Sequence, residues 1–209
     1  MSNKAIATNY RKWAGVDLGG RTTGKTALAW MESDSAVVHI LSAPILKNLC
    51  GSSDQLFLEL LNSYHFDVVG FDAPLSLPDC TQPDYLFRPG DRQVGALSPF
   101  TVGELTARAI YLSHHLNSHA IEVYPKTVLQ MLDLPHRGYK NETQVLGQRA
   151  VSIASLYGWT LTEIPSDSDT FDAFLALVSV WHYVYDRYLN VGSLPHPFIV
   201  PVNPPQRRD

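Results

Sequence analysis

A glycine-rich stretch near the start of the chain, GVDLGGRTTGKTALAW (15–30), limits what this sequence can fold into. It contains the pattern G-x-x-x-x-G-K-T from Gly19 to Thr26, which in a phosphate-binding loop leads into a helix whose N-terminus holds the phosphate. Here the residues after Lys25 leave room for about two helical turns before the next β-rich run. Their apolar and polar positions alternate as in a half-buried strand. The stretch therefore predicts a β-hairpin with Asp17 near the end of its first strand.

The order of the apolar segments predicts a mixed α/β sheet. Three strand-like runs come in succession, at 12–19, 26–31 and 36–41. Helices and strands then alternate: a helix at 52–64, a strand at 66–74, a long loop to about 102, a helix at 103–116, a strand at 120–125, and helices at 126–132, 143–158 and 168–189. We expect a single α/β domain over 1–209, with a five-stranded sheet that has an antiparallel hairpin edge and is flanked by helices. A proline-rich tail from about residue 194 is expected to run as an extended strap along the surface, with a frayed end.

Composition narrows the range of partners and locations. The 209 residues carry a formal net charge of −4, so any nucleic-acid contact would have to come from a local basic patch. No apolar run approaches the roughly 18 residues of a spanning helix, and the first residues do not show a signal-peptide pattern. We therefore expect a soluble, cytoplasmic protein without a membrane partner. Cys50 and Cys80 lack the spacing of a zinc site or a disulfide framework.

Four aspartates stand where the predicted elements can bring carboxylates together. Asp17 and Asp72 each end a predicted strand, and in a sheet of this order the first and fourth strands can be neighbours. Asp169 and Asp172 are three residues apart and share one face of the last helix. Such carboxylates repel one another unless they bind a divalent cation or share a proton, and oxygen ligands suit magnesium or manganese. Each residue also has a simpler interpretation, as the end of a strand, a loop cap or a helix N-cap.

The chain resembles a family of domains of unknown function that are described as predicted nucleases of the RNase H fold. The matching stretches are GVDLGG with the following TG, VVGFDAPLSLP, IEVYPKTVLQML with the downstream YK, and SDTFDAFLALVSVW, and they span most of the chain. The resemblance implies that Asp17, Asp72 and Asp172 hold two metal ions, with Asp169 as a second helical candidate. The D-x-x-D spacing resembles that of the Holliday-junction resolvase branch of this fold. Glu122, in IEVYP, matches the family motif and is a further catalytic candidate.

The resemblance implies a metal-dependent nuclease or related phosphodiesterase that hydrolyses a phosphodiester with magnesium or manganese ions. Nearby cations would orient phosphate oxygens, and Arg88, Arg92 and Lys140 are candidates because phosphate favours guanidinium and ammonium partners. Each is equally well interpreted as solvated surface charge. The substrate would be a nucleic acid or a small phosphodiester. Junction-cleaving relatives of the fold work as dimers, so a homodimer is also open.

Two other functions stay open. One is a nucleotide-binding NTPase or phosphotransferase that uses the loop from Gly19 to Thr26, with the apolar run into Asp72 as the acidic strand that completes a magnesium–nucleotide site. The stretch VDLGGRTTG also resembles the first phosphate motif of the sugar-kinase and actin superfamily. Those proteins need two such domains, whereas this length supplies one. The third function is a non-catalytic RNase H-like binding module whose acidic site does not hold metal. A metal site at His114, His115 and His119 is disfavoured, because they stand near a helix end without supporting carboxylates.

Overall fold

A computed structural model describes residues 10–21, 23–193 and 195–204 of the chain. The strands are β1 Lys12–Asp17, β2 Ala27–Glu32, β3 Val37–Leu41, β4 Val68–Asp72, β5 His119–Val123, β6 Thr160–Leu161, β7 Tyr188–Val191 and β8 Phe198–Pro201. The helices are α1 Ala43–Cys50, α2 Asp54–Ser63, α3 Pro89–Val94, α4 Gly103–His115, α5 Pro125–Met131, α6 Thr143–Tyr157 and α7 Ser168–Val184, and a short 3₁₀ helix spans Tyr139–Asn141. Within the described ranges, no helix combines the length and apolar character needed to cross a membrane.

The strands of the described residues form one sheet in the order β6-β3-β2-β1-β4-β5-β8-β7. Strands β1, β2 and β3 form an antiparallel meander, and β4 and β5 run parallel to β1. The predicted class, a mixed α/β sheet with an antiparallel hairpin edge and flanking helices, is confirmed. So is the expectation that the first and fourth strands are neighbours, and their register sets Asp17 opposite Asp72. The predicted count of five strands was wrong, since β6, β7 and β8 extend the two edges.

The C-terminal part of the chain differs most from expectation. The last helix ends at Val184, not at 189, because the chain turns through a left-handed residue at Asp186 and then forms β7. The segment predicted to be a surface strap contributes β8, whose Phe198 and Ile199 are buried against the core. Residue Leu194 and the predicted frayed end at 205–209 lie outside the described residues. The division into one domain and a tail stays a prediction.

Two helices occupy segments for which no helix was predicted. Helix α1 follows β3 directly, with a proline in its first turn, and α3 interrupts the predicted loop before residue 102. Short helices of this kind carry too few apolar positions to show a helical period. Helix α3 nevertheless matters for the site, because its N-cap residue is the buried Arg88.

Helix α7 packs directly on β1, and a glycine makes this contact possible. A β-carbon on Gly15 would lie 2.1 Å from the backbone nitrogen of Leu177 and 2.5 Å from the carbonyl oxygen of Ala173. The helix can therefore approach the strand only where the strand has no side chain. The same packing brings the first turns of α7 to the carboxyl end of β1, where Asp172 approaches Asp17.

A buried histidine on α7 links stability to pH. The ring of His182 is fully buried, with Nε2 2.7 Å from the hydroxyl of Tyr157 and Nδ1 3.1 Å from the carbonyl oxygen of Arg187. A neutral ring with its proton on Nδ1 satisfies both contacts. Burial lowers the pKa of His182 to about 4, whereas the unfolded chain takes up this proton near pH 6.5. Because the unfolded state binds more protons between these values, this contribution is complete above pH 6.5 and is lost as the pH falls towards 4.

We expect His182→Gln to lower the free energy of unfolding at pH 7, and its deficit relative to wild type to shrink by about 1–2 kcal/mol between pH 6.5 and pH 5. Urea denaturation of both proteins at several pH values measures this difference in the free energy of unfolding. Other groups that titrate in the same range contribute equally to both proteins, so their contributions cancel. The matched control is His39→Gln, at a partly buried histidine on β3. A deficit that does not change with pH would contradict the assignment of a neutral His182 in the folded state.

Candidate metal centre

Three aspartates from three elements converge at one edge of the sheet. Asp17 and Asp72 stand opposite each other at the ends of β1 and β4, and Asp172 lies near the start of α7. Each offers one carboxylate oxygen, and these oxygens lie within 4.8 Å of one another. Asp17 is 8% exposed and Asp172 is 0% exposed. No other group of three acidic, histidine or cysteine ligands is this close in the part of the chain that the structure describes.

The glycine stretch forms the turn of a hairpin. Strand β2 begins two residues after Lys25, so the predicted hairpin is confirmed and no helix follows to hold a phosphate at its N-terminus. The two arms are so close that a β-carbon on Gly19 would lie 2.6 Å from the carbonyl carbon of Lys25. Arg108 donates to the carbonyl oxygen of Gly19 and pairs with Asp54 at 2.7 Å, which ties the turn to α4 and α2. A phosphate-binding loop that leads into a helix is therefore excluded, whereas nucleotide binding by the hairpin turn itself stays a prediction.

Burial and mutual repulsion raise the pKa values of the clustered carboxyl groups. The pKa of Asp72 rises to about 7, first because of burial and then because of the charge on Asp172. Burial, and then the charge on Asp72, hold the pKa of Asp17 well above its usual range. Burial also raises the pKa of Asp172, against the opposing influence of Lys140 and Tyr139. Converging oxygen ligands that are this costly to ionise together fit a divalent cation, which would supply the missing positive charge.

Tyr139 and Lys140 cover the innermost aspartate. The hydroxyl of Tyr139 donates to Oδ1 of Asp172 at 2.5 Å, and Nζ of Lys140 pairs with Oδ2. Burial disfavours the charge on Lys140, but the carboxylates of Asp172 and Asp72 outweigh this effect and raise its pKa. The lysine side chain is 55% exposed, so its ammonium can reach both the carboxylates and the cavity in front of them. The structure thus brings Lys140 to the predicted site, where it is a counter-ion to Asp172.

Arg88 and Glu122 form a buried ion pair beside the cluster. The guanidinium donates to both carboxylate oxygens of Glu122, at 2.6 and 2.7 Å, and to Oδ1 of Asp91 at 2.6 Å. The backbone N–H of Leu75 donates to the same Glu122 carboxylate at 2.9 Å. These contacts bind the segment after β4 and the start of α3 to β5. Glu122 is therefore directed at Arg88, and it is not part of the close group of oxygens formed by the three aspartates.

Truncating Arg88 should cost much more stability than truncating its neighbour Arg92. We expect Arg88→Ala to lower the free energy of unfolding by about 3–5 kcal/mol, because it leaves the buried carboxylates of Asp91 and Glu122 without their cation. Arg92→Ala removes an exposed pair with Asp84, which solvent screens, and should change the free energy of unfolding very little. Urea denaturation of the two variants makes the comparison. Equal losses would show that the buried pair does not hold β4, α3 and β5 together.

Of the remaining predicted site residues, Asp169 lines the cavity and Arg92 does not. Arg92 is exposed, pairs with Asp84 at 3.1 Å and is not among the described residues that line the cavity, so its predicted phosphate contact gains no support. Asp169 does line the cavity. The N-cap of α7 is Asp167, whose carboxylate accepts from the backbone N–H of Thr170 at 2.7 Å, so the simpler interpretation of Asp169 as the N-cap was wrong. A metal or catalytic role for Asp169 stays a prediction.

The acidic cluster opens into a cavity of 560 Å³. Its polar lining includes Asp17, Asp72, Asp169, Lys25, Lys126 and Lys140, and much of the rest is apolar. Sequence reasoning missed Lys126 and the role of Tyr139 as a partner of Asp172. Both lie in stretches that carried the resemblance, IEVYPKTVLQML and YK, but no local pattern showed that they face the aspartates.

Comparison with known proteins adds a likeness in structure and none in sequence. No protein-family model matches the chain, and no curated protein matches it. Among solved structures, it is similar to Thermus thermophilus RuvC, with 17% identity, a TM-score of 0.46, and coverage of 84% of this chain and 95% of that one. It is also similar to T. thermophilus RuvC in complex with a Holliday junction substrate, with 17% identity, a TM-score of 0.44, and coverage of 85% and 96%. At this level of similarity, function has to be argued from the residues of the chain itself.

Proposed function

We propose that this protein is a metal-dependent phosphodiester hydrolase that acts as a nuclease. The observation that carries the proposal is the convergence of Asp17, Asp72 and Asp172, from two strand ends and one helix, on a space that a divalent cation fits. The motifs around these residues also resemble predicted nucleases of the RNase H fold. Together they favour phosphodiester hydrolysis over the other reactions that an acidic site of this kind can support.

In this proposal, separate residues of the chain hold the metal and position its ligands. Asp17, Asp72 and Asp172 would hold a magnesium or manganese ion, and Asp169, which also lines the cavity, is the candidate ligand for a second. When bound, such ions polarise water and offset charge on phosphate oxygens. Tyr139 keeps the carboxylate of Asp172 in place through its hydrogen bond.

Lys140 has a second part in this proposal. A cation bound by Asp172 would replace the ammonium of Lys140 as the counter-charge, and the half-exposed lysine would then be free to hold a phosphate oxygen. The reaction adds water across one P–O ester bond. The hydroxyl group goes to phosphorus and the proton goes to the leaving alcohol.

The test is cleavage of labelled single-stranded, duplex, hybrid and branched nucleic acids in magnesium or manganese. We expect cleavage of at least one of them by the wild type, and its loss in both Asp17→Asn and Asp72→Asn. The matched control, Asp84→Asn, changes an exposed aspartate outside the cavity and should cleave as the wild type does. Cleavage that survives in both site variants, or ATP turnover that depends on Lys25, would contradict the proposal.

One observation favours a second function, a non-catalytic binding module. Lys140 already supplies Asp172 with a positive charge, so the fold can tolerate the cluster without an ion. Calorimetric titration with manganese separates the two proposals. Heat of binding that is lost in Asp72→Asn supports the hydrolase, whereas no binding to the wild type supports the module.

A further inference from the structure

The cavity beside the aspartates has an apolar part that metal binding does not use. It is lined by Leu97, Val102, Leu105, Tyr124 and Phe198, from the segments after α3, around the start of α4, after β5 and in β8. Leu97 is 63% exposed, so its side chain meets water that a bound apolar group would displace. The volume of 560 Å³ lies within the range of about 300–1,000 Å³ that is typical of small-molecule sites. The space therefore suits one compact group with an apolar face.

Tyr124 lines the same cavity as the carboxylates of Asp17 and Asp72. Its hydroxyl donates to the carbonyl oxygen of Gly95, two residues before Leu97, at 3.2 Å. Burial, and then the charge on Asp72, raise the pKa of Tyr124. An aromatic ring held in this way offers a surface on which a base can stack.

The charges around the cavity argue against an extended binding surface for a nucleic-acid backbone. The formal net charge of the chain is −4. The guanidinium of Arg88 is already neutralised by Asp91 and Glu122, so the other cations of the described lining are Lys25, Lys126 and Lys140. Three ammonium groups can contact one or two phosphates, whereas a protein that follows a duplex needs a continuous basic surface. Recognition at this site would therefore rest on the apolar lining more than on backbone charge.

We propose that the cavity takes up a single nucleotide unit with its base out of any stack, the phosphodiester at the aspartates and the base against Leu97, Leu105 and Tyr124. The inference rests on the proposed function, because it names the substrate class of the same site. A free nucleotide ester and an unpaired nucleotide of a longer strand share this chemistry. The base, and not the length of the strand, would then set the affinity.

Two chromogenic esters test the preference directly. Thymidine 5′-(4-nitrophenyl phosphate) and methyl 4-nitrophenyl phosphate release the same nitrophenolate, and only the first carries a base. We expect kcat/KM in manganese to be at least about tenfold higher for the nucleoside ester, in line with the contribution of one stacked base. Leu97→Asp and Tyr124→Ala should bring the ratio close to one. The matched control, Leu56→Asp, changes a leucine that is 47% exposed and lies outside the cavity, and it should keep the wild-type ratio.

A binding assay without turnover separates this inference from the proposed function. The probe is 2-aminopurine riboside 5′-monophosphate in magnesium, followed by its fluorescence. We expect Leu97→Asp to weaken binding at least about tenfold, and Leu56→Asp to leave it unchanged. Binding that responds to Leu97, with neither ester hydrolysed, would support the base site and contradict the hydrolase. Hydrolysis of both esters with equal kcat/KM would contradict the base site but still support the hydrolase. A probe that does not bind the wild type would contradict the base site whatever the hydrolysis assay shows.

Discussion

Asp72→Asn should abolish metal-dependent hydrolysis and, in the absence of metal, make the protein more stable at pH 8. The loss of rate should be on the order of a thousandfold, since the variant removes a ligand from the group that would hold the ion. The gain in the free energy of unfolding should be roughly 1–3 kcal/mol, because a neutral side chain no longer repels Asp17 and Asp172. Hydrolysis assays, and urea denaturation with a chelator present, measure the two effects.

The pKa of Asp72 is raised to about 7 in the folded state, whereas an aspartate in the unfolded chain has a pKa of about 4. Between these values the folded state holds a proton that the unfolded chain has released. The free energy of unfolding of the wild type therefore falls as the pH rises from about 4 to 7, and the full loss is present above pH 7. Asp72→Asn should remove this contribution, so its advantage over wild type should be larger at pH 8 than at pH 5.

Magnesium provides the control for the same experiment. A ligand that binds only the folded state stabilises it, so magnesium should raise the stability of the wild type and of Asp84→Asn, but not that of Asp72→Asn. Two results would contradict a cation site made of mutually repelling carboxylates. One is an Asp72→Asn variant that is less stable than wild type at pH 8, and the other is a variant that magnesium stabilises as much as it stabilises the wild type.

Gly15→Ala should cause the largest loss of stability of any glycine-to-alanine change in this protein. The new β-carbon would lie 2.1 Å from the backbone nitrogen of Leu177 and 2.5 Å from the carbonyl oxygen of Ala173. Backbone atoms cannot rotate away as a side chain can, so α7 has to move off β1, and Asp172 moves with it. We expect a loss of about 3–5 kcal/mol in urea denaturation, or a chain that does not fold.

Gly103→Ala is the matched control for this prediction. Gly103 opens α4 and has no heavy atom within 4 Å of the position that a β-carbon would take. Alanine is the better helix former, so this change should alter the free energy of unfolding by less than about 1 kcal/mol, in the stabilising direction. If Gly15→Ala were as stable as Gly103→Ala, the close packing of α7 on β1 would be contradicted.

Local sequence pattern was enough to predict the frame of the site. Apolar runs that end at Asp17 and Asp72 predicted two strands, each with a carboxylate at its C-terminal end. The helical period after Ser168 placed Asp169 and Asp172 on one helix. Alternation after Lys25 predicted the hairpin. These features are encoded within a few residues, because strand and helix periods depend on near neighbours.

Segments with little local signal were predicted less well. Strand β6 has only two residues, and β7 and β8 lie in stretches whose composition is typical of a helix end and a proline-rich tail. Such strands form because a sheet edge is available to pair with, so tertiary context overrides their local preference. The sequence pattern therefore predicted the centre of the sheet and missed both edges.

The identity of the partners of each charged side chain depended on long-range packing. Arg88 and Glu122 are 34 residues apart and form a buried ion pair that no local pattern predicted, and their proposed roles at the site stay predictions. Asp172 joins Asp17 only because Gly15 lets α7 lie against β1. Sequence spacing predicts which residues share a strand or a helix face, but the distance between side chains on different elements is set by how those elements pack. The three clustered aspartates and Lys140 were thus predictable one by one, whereas their distances, the pairing of Lys140 with Asp172 and the cavity beside them follow from the tertiary fold.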